Sequence, residues 1–209
     1  MASSKKVVRK RLAKNIKTSL KILIVCEGPT ESTYIEDLLG DIPNIEIVSI
    51  DGAGYGKFKN YIESNEKLYK VFLVVADLDK AQPDSKTRKT SNGYHLLNGL
   101  ITYLHKLNNQ NTIFLSNPDI EYWIACLIGK ESYTKTDLVS IGYRKGDSIN
   151  TFLRAHNGNF NTAVELANSD KVYYRKPKPG VNYTLQSDYL ELRQSNLTEL
   201  LVYIQMLNQ

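Results

Sequence analysis

The chain has 209 residues, 42% of them hydrophobic and 23% charged, with a formal net charge of +5. That composition is ordinary for a soluble globular protein, and the length suffices for one large or two small domains with a real core. No apolar run approaches the roughly 20 residues of a membrane span. The basic N-terminus has no apolar signal segment, and two cysteines alone build neither a disulfide framework nor a structural zinc site, so a cytoplasmic protein is expected.

The charge is unevenly placed. Lys5, Lys6, Arg9, Lys10, Arg11, Lys14 and Lys17 make residues 1–19 a basic arm without a single acid. Lys80, Lys86, Arg88 and Lys89 form a second cluster, and Arg175, Lys176 and Lys178 a third. Such clusters suit phosphate backbones, although solubilising tails share the pattern.

From residue 20 the pattern alternates. Residues 21–26 read as a strand. Gly28 and Pro29 make the turn into a helix that runs to about residue 39 and is closed by Gly40. A second strand covers 45–50. The glycine-rich turn 51–57 leads into a helix over 57–69, with Phe58, Tyr61, Ile62 and Leu68 as its apolar positions. The third strand, 71–76, is a continuous apolar run, as in a parallel sheet covered on both faces. A polar loop over 78–92 precedes a helix over 93–107, with Leu96, Leu97, Leu100, Ile101 and Leu104 on its buried side. Residues 112–115 form a short fourth strand.

Strands alternating with helices predict a doubly wound parallel sheet of about four strands, in the order 2-1-3-4. After Leu115 the strand signal fades. Asn117 is placed as N-cap and Pro118 as first residue of an apolar helix over 120–128, with the only tryptophan, Trp123, read as core. Helical pieces are expected at 137–141, 148–155 and 160–168, an irregular Pro- and Tyr-rich stretch at 170–186, and a last helix at 196–207. The expected organisation is therefore an arm (1–19), an α/β domain (20–130) and a helical extension packed on it (131–209).

The chemistry is expected at the carboxyl ends of the first and third strands. Asp77 and Asp79 close the third strand, and residues two apart in a strand point the same way. Glu27 follows the first strand. In the order 2-1-3-4 these strands are neighbours, about 4.8 Å apart, with the topological switch between them. Three carboxylates there repel each other unless a cation or proton intervenes, and Mg²⁺ or Mn²⁺ is the natural cation. The plainer reading of Asp77 and Asp79 is a solvated turn. Glu31 falls at the third helical position, where a capping-box acid belongs, and is a further candidate metal contact. Lys80, Arg88 and Lys89 are candidate phosphate contacts, and Arg175 and Lys176, with Tyr173, Tyr174 and Tyr183 nearby, a candidate nucleic-acid surface. The Gly52, Gly54, Gly56, Lys57 turn lacks the spacing of a phosphate loop and reads as a tight turn near the site. His95, His105 and His156 show no metal spacing.

These motifs carry a resemblance. Cys26-Glu27-Gly28-Pro29-Thr30-Glu31 with Tyr34, then Asp77-Leu78-Asp79, then Ser116-Asn117-Pro118-Asp119-Ile120-Glu121-Tyr122-Trp123, resemble the motifs of RloB-like proteins, over about residues 20–130. RloB-like proteins are similar to the Toprim (topoisomerase–primase) fold group that includes the OLD-family nucleases. The resemblance implies a Toprim-like sheet and a metal-dependent nuclease using Glu27, Asp77 and Asp79 on DNA or RNA. It also implies an anti-phage role, as in abortive infection, beside an ABC-type ATPase. Glu121, one turn into its helix where an acid suits the dipole, and Asn117 are read as supporting residues, with a buried structural role for Glu121 set beside a catalytic one. Lys80-Ala81 departs from the usual continuation after the acidic pair. Two rivals are a haloacid-dehalogenase-like phosphatase with Asp77 as nucleophile and a non-catalytic nucleic-acid- or ATPase-binding module.

Overall fold

A computed structural model describes residues 21–52, 54–83, 91–108, 112–162, 194–197, 199–200 and 203–204. The chain is α/β. Strands β1 (Ile22–Cys26), β2 (Ile45–Ser49), β3 (Val71–Asp77) and β4 (Ile113–Asn117) form a parallel sheet in the order 2-1-3-4. A two-residue strand, β5 (Gln194–Ser195), adds to β4 in antiparallel fashion. The sequence pattern does not anticipate it, because two residues carry no periodicity. Asn196 secures it: its Oδ1 accepts from the Leu115 N–H at 2.6 Å, and its own N–H donates to the Leu115 carbonyl.

The β1 and β3 side chains alternate between two cores, which is why both strands read as unbroken apolar runs. Ile22, Ile24, Cys26, Leu73 and Val75 face a cluster shared with α1 (Pro29–Leu39), α4 (Ile120–Leu127) and α6 (Ile149–Ala155). Leu23, Val25, Phe72, Val74 and Ala76 face one shared with α2 (Tyr55–Asn65) and α3 (Asn92–Asn108). Leu138 of α5 (Lys135–Ser140), Tyr143, Leu153, Leu197, Leu200 and Ile204 join the first cluster, so residues beyond 130 share a core with the sheet. Trp123 lies in that core, its indole N–H donating to Tyr34 Oη at 2.9 Å. Cys26 and Cys126 are free and buried.

Two expected core positions are corrected. Leu68 lies beyond the end of α2 and is 62% exposed, and Leu96 is 43% exposed. Helix α2 starts two residues earlier than the pattern suggests and stops at Asn65, which turns Leu68 off the buried stripe. The cap of α4 is also corrected. Asp119 is the N-cap, its carboxylate accepting from the Tyr122 N–H, while Asn117 ends β4 and precedes a cis peptide to Pro118. At α1 the expected caps are in place: Gly28, then Pro29 at the first position, and Gly40 with φ 59° at the far end. None of the helices among the described residues is long and apolar enough to cross a membrane.

The start of α3 locks onto the segment after β3. A Cβ on Gly93 would lie 1.9 Å from the Lys80 carbonyl oxygen, whereas one on Gly99 would meet nothing within 4 Å. Gly93→Ala should therefore lower the melting temperature by several degrees. Gly99→Ala, in the exposed middle of the same helix, should raise it, by about 2–4 °C for each kcal/mol of helix propensity gained. Thermal unfolding of both variants checks this pair; equal effects would refute the close approach.

Candidate metal and phosphate site

The site is built where β1 and β3 run out side by side. Cys26 pairs with Val75, and the Glu27 N–H continues the ladder to the Val75 carbonyl at 3.0 Å. The acids that follow are thereby brought together: Glu27 Oε2 accepts from the Asp77 N–H at 3.2 Å. The glycine-rich turn closes over this point. The Gly52 N–H donates to the Glu27 carbonyl at 2.7 Å, and the Tyr55 hydroxyl donates to the Asp77 carbonyl at 2.6 Å. The turn thus lies against the site, as its sequence suggests.

Four buried or half-buried carboxylates repel one another here. Glu27, Glu31 and Glu121 are buried, and Asp77 Oδ1 is sealed from solvent with no hydrogen-bond partner among the described residues. Burial, then the charges of Glu31, Glu27, Glu121 and Asp119, push the Asp77 carboxyl well above the usual carboxylate range. Burial likewise raises Glu31, with the charges of Glu27 and Glu121 adding to it against the backbone N–H groups of Glu31 and Gly28. Gly28 makes room for this: a Cβ there would lie 3.0 Å from Glu31 Oε2.

Two lysines compensate part of the charge. Lys80 Nζ donates to Glu27 Oε1 and, at 2.8 Å, to the Gly52 carbonyl. Lys135 Nζ, on α5, donates to Glu121 Oε1 at 2.6 Å. Burial alone would lower both ammonium pKa values; the hydrogen-bonded glutamate and neighbouring aspartates outweigh it and raise them. Lys145 stands nearby, its Nζ 3.8 Å from a Cβ position on Gly28.

The expected residues are thus placed unequally. Glu27, Glu31, Asp77 and Glu121 converge. Asp79 does not join the buried set. It is exposed in a single 3-10 turn (Asp79–Ala81), its Oδ1 accepting from the Lys80 N–H at 2.6 Å, because the chain leaves the extended form at Leu78 and the strand period no longer holds. Asn117 is buried and accepts from Gln82 Nε2 at 2.8 Å, bracing the segment after β3. Lys80 lies on Glu27 rather than free in solvent. Arg88 and Lys89, and Arg175, Lys176, Tyr173, Tyr174, Tyr183 and the arm 1–19, lie outside the described residues. Sequence reasoning missed Lys135, and only a predicted contact of α4 with α5 would have signalled it.

The donors fit a hard divalent cation in part. Every converging group is a carboxylate, and the orphaned Asp77 Oδ1 calls for a positive partner. Mg²⁺ commonly takes only one or two carboxylates, with water and substrate phosphate completing its shell. Among the described residues, however, no three acidic, histidine or cysteine side chains already stand in a metal-holding group. The fit is therefore through Glu27 and Asp77, with Glu31 and Glu121 supplying negative field.

The strain has a sign that can be measured. Asp77 and Glu31 hold protons more tightly folded than unfolded, so stability falls as pH rises from the ordinary carboxylate value, about 4, through their raised native values. Their contribution is complete below about pH 4 and is lost above those values. Asp77→Asn removes the repulsion. In chelator its melting temperature should exceed that of the unaltered chain by about 2 °C or more near pH 8, with a smaller gap near pH 5. A gap that does not change with pH would show that the carboxylates are not in conflict.

No family model matches the chain, and the curated proteins and the solved structures likewise yield no match.

Proposed function

We propose that the chain is a Mg²⁺- or Mn²⁺-dependent nuclease of the Toprim kind that cleaves phosphodiester bonds in DNA or RNA. The observation that carries this reading is Asp77: a carboxylate oxygen without a partner among the described residues, sealed at the carboxyl ends of the parallel strands, beside Glu27, at the switch between β1 and β3. Open α/β sheets keep their ligand sites at that point. A charge arrangement that weakens the fold is what a cation-binding site requires of its empty-handed residues.

The residues divide the work as follows. Glu27 and Asp77 would hold the cation, which supplies neutralisation of charge growing on the phosphate and acidification of an attacking water. Tyr55 pins the backbone that carries Asp77 through its 2.6 Å contact with the Asp77 carbonyl, and the Asp77 N–H orients the Glu27 carboxylate at 3.2 Å. Glu31 and Glu121 deepen the negative field, and Lys135 holds Glu121 in place through its 2.6 Å hydrogen bond. Asp79, at the solvent edge, is placed to accept a proton or orient water instead of completing the inner ligand set. The basic clusters along the chain suit a polyanionic substrate.

The motif resemblance to RloB-like proteins supports the same class, and it alone supports a role in anti-phage defence with an ABC-type ATPase. Co-purification with the product of an adjacent ATPase gene tests that part.

With labelled DNA and RNA and Mn²⁺, Glu27→Gln and Asp77→Asn should each lower cleavage by about two orders of magnitude or more, with the fold retained. Asp79→Asn should cost less than either. Unchanged cleavage in the first two variants, or an aspartyl-phosphate trapped on Asp77, would refute the reading.

A further inference from the structure

We propose that Lys80 is a tethered cation that holds the metal's place on Glu27 while the site is metal-free and swings to the substrate phosphate when the metal enters. This rests on the metal-dependent reading above. Both oxygens of the Glu27 carboxylate already accept: Oε2 takes the Asp77 N–H and Oε1 takes Lys80 Nζ. Asp77 Oδ1 has no partner among the described residues. A divalent ion held between Glu27 and Asp77 would stand close to the ammonium on Oε1, and like charges at contact distance repel strongly. The two cations therefore exclude each other.

The backbone of Lys80 is anchored independently of its side chain, which is held only at its tip, by Glu27 and the Gly52 carbonyl. Its N–H donates to Asp79 Oδ1, its carbonyl accepts from Ser91 Oγ at 3.3 Å, and Gly93 packs against that carbonyl. The side chain is 37% exposed, against 8% for its partner Glu27, so the way out for the ammonium is toward solvent, where a phosphate would lie. Its stem is flexible and its head a point charge, which suits lysine to phosphate contact without fixed geometry. Lys135 differs in its setting. It answers Glu121, which no step of the proposed metal binding needs to free.

The test is Mn²⁺ titration of the full chain by calorimetry. Lys80→Met should bind Mn²⁺ about tenfold more tightly than the unaltered chain, since a competing charge has gone. Lys59→Met, which removes the same charge from an exposed pair with Glu63, should change affinity less than about twofold. Cleavage by Lys80→Met should fall even at saturating Mn²⁺.

Should Lys80→Met fail to fold, acylation of the unaltered chain answers the question. Mass spectrometry should show Lys80 modified several times faster once Mn²⁺ is added, because its ammonium leaves the carboxylate. Equal or weaker Mn²⁺ affinity in Lys80→Met, or Lys80 reactivity unmoved by Mn²⁺, overturns the tethered cation and leaves the metal site standing. No Mn²⁺ binding by the unaltered chain overturns both.

Discussion

The molecule is governed by an electrostatic conflict that its strand pairing imposes. Strands β1 and β3 are adjacent, parallel and buried on both faces; β3 ends in Asp77, and Glu27 directly follows the last residue of β1. Their register leaves no freedom: with Cys26 opposite Val75, Glu27 and Asp77 meet at one point. A one-residue slip would turn every side chain of β1 into the opposite core, so hydrophobic burial holds the carboxylates together against their repulsion. Glu31 on α1 and Glu121 on α4 are brought to the same place because both helices start at that edge of the sheet.

The compensation is local and incomplete. Lys80 answers Glu27, and Lys135 answers Glu121, each through a charge-assisted hydrogen bond. Among the described residues nothing comparable reaches Asp77 Oδ1. Removing one partner of a buried pair leaves an uncompensated charge and is far more costly than the net worth of the pair. The two lysines therefore act on the fold as much as on any ligand. Their burial differs from that of the acids they serve: about half of the Lys135 side chain is exposed, while Glu121 is almost entirely covered. The negative groups are fixed and the positive ones can leave, which is the asymmetry a site for an exchangeable cation needs.

Much of this was legible in the sequence, and the reasons are specific. Unbroken apolar runs mark β1 and β3, and alternation with helices implies the parallel order 2-1-3-4. From that order alone Glu27 and Asp77 become neighbours. Asp79 departs from the strand pattern because the extended form ends at Leu78, where the chain bends into a 3-10 turn with Lys80 N–H on the Asp79 carboxylate. The α4 cap is Asp119 and not Asn117 because β4 runs on through Asn117 and the helix begins only at Ile120. The pairing of Glu121 with Lys135 depends on how α5 packs against α4, which no local pattern encodes. Strand β5 is invisible for the same reason: two residues gain their identity only from β4.

Two clefts among the described residues lie elsewhere. One, of about 480 Å³, is lined by Leu39, Ile42, Ile45 and Ile47 with Glu36 and Asp41, at the entry to β2 and so at the opposite end of the sheet. The other, of about 390 Å³, lies between Ile141 and His156. A small-molecule enzyme would place its carboxylates in such a recess. Here they cap the end of two strands, with exposed Asp79 and the half-exposed side chains of Lys80 and Lys135 around them. A polymer substrate cannot be enclosed in a cavity of a few hundred cubic ångströms and must be met along its backbone, one phosphate at a time. The half-exposed side chains of Lys80 and Lys135 beside buried acids, at the carboxyl ends of two central strands, are in keeping with the phosphodiester substrate proposed above.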